Sequence, residues 1–147
     1  MHNESTSLLV TGDQTGGRFA LLETTATDTQ ELPLHTHTRE DELIYVVRGD
    51  VTFYRDGMRL EGRTGTCMLL PRGTEHTYRV ASNEAQLLIM LMPAGLEGYY
   101  QELDDITDAT RYTERLITVA AKYGVKLTGP GPTTADCIDD RSPVAGK

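Results

Sequence analysis

Short runs of alternating apolar and polar residues, separated by Gly, Pro, Asn or Asp, fill most of the chain up to Pro93. A period of two marks strands that bury one face. A brief strand is expected at Leu8–Val10, and Arg18–Thr25 reads as the first full one, rich in apolar and β-branched residues. Ala26–Leu32 is a polar loop, and Pro33 sets up an extended entry into Leu34–His37. Glu42–Arg48 has the strongest strand composition. If Glu42 faces inward, so do Ile44 and Val46, while Leu43, Tyr45 and Val47 face the other way. Both sets are mostly apolar, so the pattern predicts a strand covered on two sides. Asp50–Arg55 and Met58–Arg63 flank Asp56-Gly57, a pair favoured in two-residue hairpin turns. Thr66–Leu70 stops at Pro71-Arg72-Gly73. His76–Val80 puts His76, Tyr78 and Val80 on one side, and Ala85–Met92 is apolar enough for a central strand.

After Pro93 the period changes. Leu96–Leu103 has helical apolar spacing, and residues 108–124 read as a second helix. Asp108 is its N-cap, Leu116, Val119, Ala120 and Tyr123 recur at helical intervals, and Gly124 is its stop. From Leu127 the sequence is punctuated by Gly-Pro-Gly-Pro, and residues 126–147 read as a tail. About eight short strands followed by a small helical part predict an all-β fold, an antiparallel sandwich or barrel with a short C-terminal helical appendage.

The 147 residues are enough for one domain and too few for two ordinary ones. A net charge of −8 offers no basic face for nucleic acid or for an anionic membrane surface. No apolar run approaches the roughly 18 residues of a membrane span. The start, Met-His-Asn-Glu-Ser-Thr-Ser, lacks the features of a signal peptide, so a cytoplasmic location is expected. Cys67 and Cys137 share no metal-type spacing and read as free thiols, the other reading being a single disulfide.

The candidate chemistry lies in two segments. His35 and His37 stand one residue apart in an extended stretch, so their imidazoles aim at one face. Glu42 follows at the start of the next strand. Two imidazoles and a carboxylate on a β-scaffold form a donor set for a divalent metal. The second segment runs from Gly65 to His76, where Pro71 and Gly73 frame a turn that delivers a third histidine to a strand. His2 is the only other histidine in the chain. Glu42 would be costly to bury without a partner charge. Glu40 and Asp41 are competing carboxylates. Glu40 is in phase with Glu42 only if the strand already runs from there, Asp41 points away, and both read as solvated.

Together these segments resemble the cupin superfamily. His35, His37, Glu42 and Gly49 match its first motif, and Gly65, Pro71, Gly73 and His76 match its second. The helices that follow look like those of small quercetin-dioxygenase-like cupins. The resemblance implies one domain, with an antiparallel jelly-roll barrel over residues 17–93, helices over 94–125 and a tail over 126–147. It implies one divalent transition metal (Fe, Mn, Ni, Co or Zn) held by His35, His37, Glu42 and His76, with Glu42 also acting as general base. It also implies a homodimer. Thr29 stands where the first motif has a glycine, and Val80 where the second has an asparagine; neither change removes a ligand.

The expected pocket walls are Ile44, Val46, Phe53 or Tyr54, Leu69, Tyr78, Val80 and one face of Leu87–Met92, with Tyr99 and Tyr100 either closing the mouth or packing elsewhere. An apolar cavity over a metal suits a small aromatic, flavonol-like or polyketide-like substrate better than a sugar phosphate. A metal-dependent dioxygenase is the first expectation. The alternatives are a non-redox cyclase, isomerase or dehydratase using the metal as a Lewis acid, and a non-catalytic small-molecule-binding protein.

Overall fold

The computed structural model describes residues 5–29, 32–106 and 112–132. Its strands form two five-stranded antiparallel sheets facing each other across one core. The first sheet runs β1 (Ser5–Val10), β2 (Ala20–Thr27), β9 (Glu84–Met92), β4 (Asp41–Arg48), β7 (Cys67–Leu70). The second runs β10 (Val125–Gly129), β3 (Leu34–His37), β8 (His76–Val80), β5 (Val51–Arg55), β6 (Met58–Gly62). Two helices, α1 (Glu97–Asp104) and α2 (Tyr112–Lys122), connect β9 to β10. The chain is thus mostly β with a small helical part, as its alternation predicts.

Alternation decides which side chains meet in the core. Glu42, Ile44 and Val46 of β4 point inward, and β9 buries Ala85, Leu87, Ile89 and Leu91. These pack with Leu22, Val51 and Phe53 into one cluster. Each fully buried side chain of this kind contributes about 1.5–3 kcal/mol through removal from water. The expectation that β4 is covered on both faces is corrected here. Its second face carries Leu43, Tyr45 and Val47, yet Tyr45 is 39% exposed. Apolar residues on two faces therefore mark β4 as a central strand between β7 and β9, without a second protein layer outside it.

Two turns depend on glycine. Asp56 and Gly57 both have positive φ (50° and 78°) between the paired residues Arg55 and Met58, which gives the hairpin the twist its strands require. Gly49 (φ 99°) lies where the chain crosses from β4 to β5; a Cβ there would sit 2.6 Å from the Glu84 carbonyl oxygen.

The C-terminal part differs most from the sequence reading. Val125–Gly129, read there as the junction of helix and tail, is strand β10. It pairs with β3, setting Val125 opposite His37 and Leu127 opposite His35. Val125 is 4% exposed, so the strand has an inward face despite its brevity. α2 ends at Lys122, and Gly124, two residues on, has a φ of 72° that suits a left-handed stop. Asp108, Cys137 and the tail beyond residue 132 lie outside the described residues, while Cys67 is an exposed free thiol.

Candidate metal centre

The four expected ligands come from three strands in two sheets. β3 supplies His35 and His37, β8 supplies His76 and β4 supplies Glu42. A single bridge joins β3 to β8, and its register places His35 directly opposite His76. The site thus sits at one end of the space between the sheets. The ring centroids of His35, His37 and His76 lie 4.4–5.0 Å apart. One donor atom from each histidine and one carboxylate oxygen all fall within 4.8 Å of one another. Glu42, His37 and His76 are buried, and His35 is half-buried.

The outer hydrogen bonds of two rings orient the donors. Nδ1 of His35 donates to the Pro33 carbonyl and Nδ1 of His76 to the Thr74 carbonyl, each at 2.9 Å. These bonds leave Nε2 as the inward nitrogen of both rings. Oε2 of Glu42 lies 2.6 Å from Nε2 of His37 and 3.2 Å from Nε2 of His76. The His37 contact is close but lacks hydrogen-bond alignment, and Nε2 of this buried ring has no hydrogen-bond partner. Donors crowded around one carboxylate oxygen, with His76 hydrogen-bonded to it but His37 not, are what a shared cation reconciles. Three imidazoles and a carboxylate suit a divalent transition ion. The cluster therefore fits such an ion, with His35, His37, Glu42 and His76 as its holders.

The electrostatics follow from burial and proximity. Burial, together with His76 and His37 nearby, pushes His35 down to about 3. Burial also opposes ionisation of Glu42, but the charge of His37 and the contacts with His37 and His76 outweigh it and hold the carboxyl well below its ordinary range. For His76, the hydrogen bond and charge of Glu42 overcome burial and raise the imidazole.

A cavity opens beside the cluster. His35, Glu42 and His76 form its base, and Tyr78, Leu32 and Thr6 its sides. Tyr99, Tyr100, Leu103 and Asp104 of α1 form its upper wall. Tyr99 meets Tyr100 edge-on at 5.4 Å and also faces Tyr123, which follows α2, at 6.2 Å. Among the expected wall residues, Tyr78 lines this cavity, as do Tyr99 and Tyr100. Ile44, Val46, Phe53 and Val80 lie instead in the core cluster, each at most 3% exposed. They share the inward face with the ligands, but they sit deeper between the sheets. Thr6, Leu32, Leu103 and Asp104 are wall residues that the pattern did not reveal, because only the packing of β1, of α1 and of the segment before β3 brings them together.

Glu40 is a second correction. It is 4% exposed and its Oε1 has no hydrogen-bond partner, whereas the sequence reading placed it in solvent. The turn around it is pinned on both sides. The amide and hydroxyl of Thr38 donate to the Gly124 carbonyl (3.2 and 2.6 Å), and Oδ1 of Asp41 accepts from the Arg72 amide (2.9 Å). Asp41 remains at the surface, as expected. The inward phase of Glu42 extends back to Glu40, the one sequence signal that could have revealed it.

A cupin-domain family model matches residues 21–92. A quercetin 2,3-dioxygenase of Bacillus subtilis is 26% identical over 107 residues, covering 66% of this chain and 32% of that protein. The chain thus spans about a third of the length of that curated relative. Among solved structures, a cupin-like protein from Thermotoga maritima superposes with a TM-score of 0.60 at 13% identity, covering 92% of this chain and 83% of its own. KdgF from Halomonas sp. superposes with a TM-score of 0.57 at 15% identity, covering 63% and 80% respectively. At these identities the structural likeness speaks for the fold. With both histidine segments in place within this β-barrel, the chain belongs to the cupin superfamily as one of its small members.

Proposed function

We propose that this protein is a metal-dependent enzyme acting on a small aromatic, flavonol-like or polyketide-like substrate, and that the reaction is a dioxygenation. The observation that carries this reading is the make-up of the cavity. Its base is His35, Glu42 and His76, its walls are mainly tyrosine and leucine with Thr6 and Asp104, and no Lys or Arg lines it among the described residues. A sugar phosphate or dicarboxylate calls for a cationic partner. A planar, largely neutral ring system calls for aromatic and aliphatic walls. The similarity to a quercetin 2,3-dioxygenase supports the choice of reaction.

When bound, a divalent transition ion supplies Lewis acidity and, if redox-active, a route to oxygen chemistry. The chain's own residues do the rest. Tyr78, Tyr99 and Tyr100 hold a ring against the base of the cavity. Glu42 belongs both to the donor cluster and to the cavity lining, which supports its role as the base for an acidic substrate hydroxyl.

Oxygen uptake by metal-loaded protein, screened over flavonols and aromatic polyketides, tests the reading. Uptake that depends on substrate supports it. Turnover that is equally fast without oxygen and with zinc replaces it with a non-redox reaction, and tight binding without turnover replaces it with a binding protein.

The reading includes a homodimer. Leu9, Tyr45 and Leu69 are exposed on the outer face of the first sheet. The strand register sets Leu21, Met90, Leu43 and Leu69 side by side across that face. A continuous apolar sheet face of this kind supports association with a second copy.

A further inference from the structure

His37 stands apart from the other two histidines of the cluster. His35 and His76 each anchor Nδ1 on a backbone carbonyl two residues upstream. His37 is 2% exposed, and its Nδ1 has no hydrogen-bond partner. A buried polar atom left in that state is unfavourable, because it has lost its water and gained no partner. Three residues further on, Oε1 of Glu40 is equally buried and equally without a partner. One atom is an imidazole nitrogen that must carry a proton if Nε2 is to bind an ion, and the other is a carboxylate oxygen that can only accept.

The backbone gives Glu40 little freedom to turn away. Thr38 is tied to Gly124 on one side and Asp41 to Arg72 on the other. Glu40 directly precedes β4 and is 4% exposed, so its carboxyl is held inside the protein next to the strand that carries Glu42.

We propose that Glu40 is the positioning carboxylate of His37 in the metal-loaded protein: it accepts the Nδ1–H, directly or through one water, and so fixes Nε2 as the ligating nitrogen. The proposal rests on the metal-centre reading above. It assigns a role to a carboxylate that is not itself a member of the donor cluster. Residues that hold a ligating imidazole by its outer nitrogen set its tautomer and ring orientation, and their loss costs about 10–100-fold in metal affinity.

The test uses zinc alone, which is diamagnetic, with wild-type protein and the Glu40→Leu and Glu40→Gln variants. Zinc affinity is measured by competition with a chromophoric chelator, and the imidazole N–H protons are followed by NMR. In the zinc-loaded wild type, three Nδ1–H signals are expected, with that of His37 furthest downfield because its acceptor is charged. Glu40→Leu is expected to lose the His37 signal selectively and to weaken zinc binding by about 10–100-fold. Glu40→Gln, which keeps an acceptor of the same size and guards against a folding defect in the leucine variant, is expected to retain the signal but shift it upfield. A His37 signal unchanged in either variant, or zinc affinity within about twofold of wild type in Glu40→Leu, overturns the proposal. Wild-type protein that binds no zinc overturns the metal-centre reading, and this proposal with it.

Discussion

His35 gives the metal-free protein a specific response to acid. An unfolded histidine titrates near 6.5, but the folded site pushes His35 down to about 3. Between those values the unfolded chain binds a proton that the folded chain does not, so stability is lost as the pH falls. Glu42 acts in the same direction at lower pH. Its folded value is depressed, so its contribution is present above about 4.5 and is lost as the pH falls through the folded value. His76, whose value is raised, contributes fully below 6.5 and loses that contribution as the pH rises through its folded value. The melting temperature of the metal-free protein is therefore predicted to drop on acidification from pH 6.5 towards 3, as read by calorimetry. A flat profile across that window contradicts the assignment. Glu42 carries a second prediction at this scale. In Glu42→Gln the three imidazoles remain, so metal content is expected to fall by less than about tenfold while substrate turnover falls by 10²-fold or more. Full activity in this variant removes the base role.

At the scale of elements, the strands were readable because alternation, Gly, Pro and Asp-Gly punctuation are local signals. β4, β5, β6, β8 and β9 lie within a residue or so of their expected limits. β10 was not readable, because Val125–Gly129 is too short to show a period and gains its partner from β3, far away in sequence. The donor cluster was readable because the spacing of its members is fixed within two short segments. The cavity wall was not, because inward phase alone does not separate a residue at the mouth from one in the core. Ile44 and Tyr100 make that distinction measurable. Ile44 has no exposed surface, so Ile44→Ala is predicted to cost about 2–5 kcal/mol in denaturant unfolding with little change in KM. Tyr100 lines the cavity, so Tyr100→Ala is predicted to raise KM by about tenfold, roughly 1.4 kcal/mol, with a smaller effect on stability. The reverse pattern would return Ile44 to the pocket wall.

At the scale of the whole molecule, the two sheets present different functional faces. Their facing inner surfaces form the core and, at one end, the donor cluster and cavity. The outer surface of the first sheet is apolar at its centre and carries the ion pairs Arg48–Glu84 and Arg72–Asp41 towards its ends. An apolar centre with a charged rim is the usual anatomy of a protein interface. Light scattering is predicted to give twice the chain mass, and the double variant Tyr45→Lys, Leu69→Lys the single chain mass. A wild-type monomer at micromolar concentration contradicts the dimer.

The central claim is that His35, His37, Glu42 and His76 together hold one divalent transition metal. Elemental analysis of the purified protein, loaded in turn with Fe, Mn, Ni, Co and Zn and then desalted, tests it directly. About one equivalent per chain is expected for at least one of these ions, and its loss in His37→Ala and in His76→Ala. Wild-type protein that retains none of them, or folded variants that retain as much as the wild type, would contradict it.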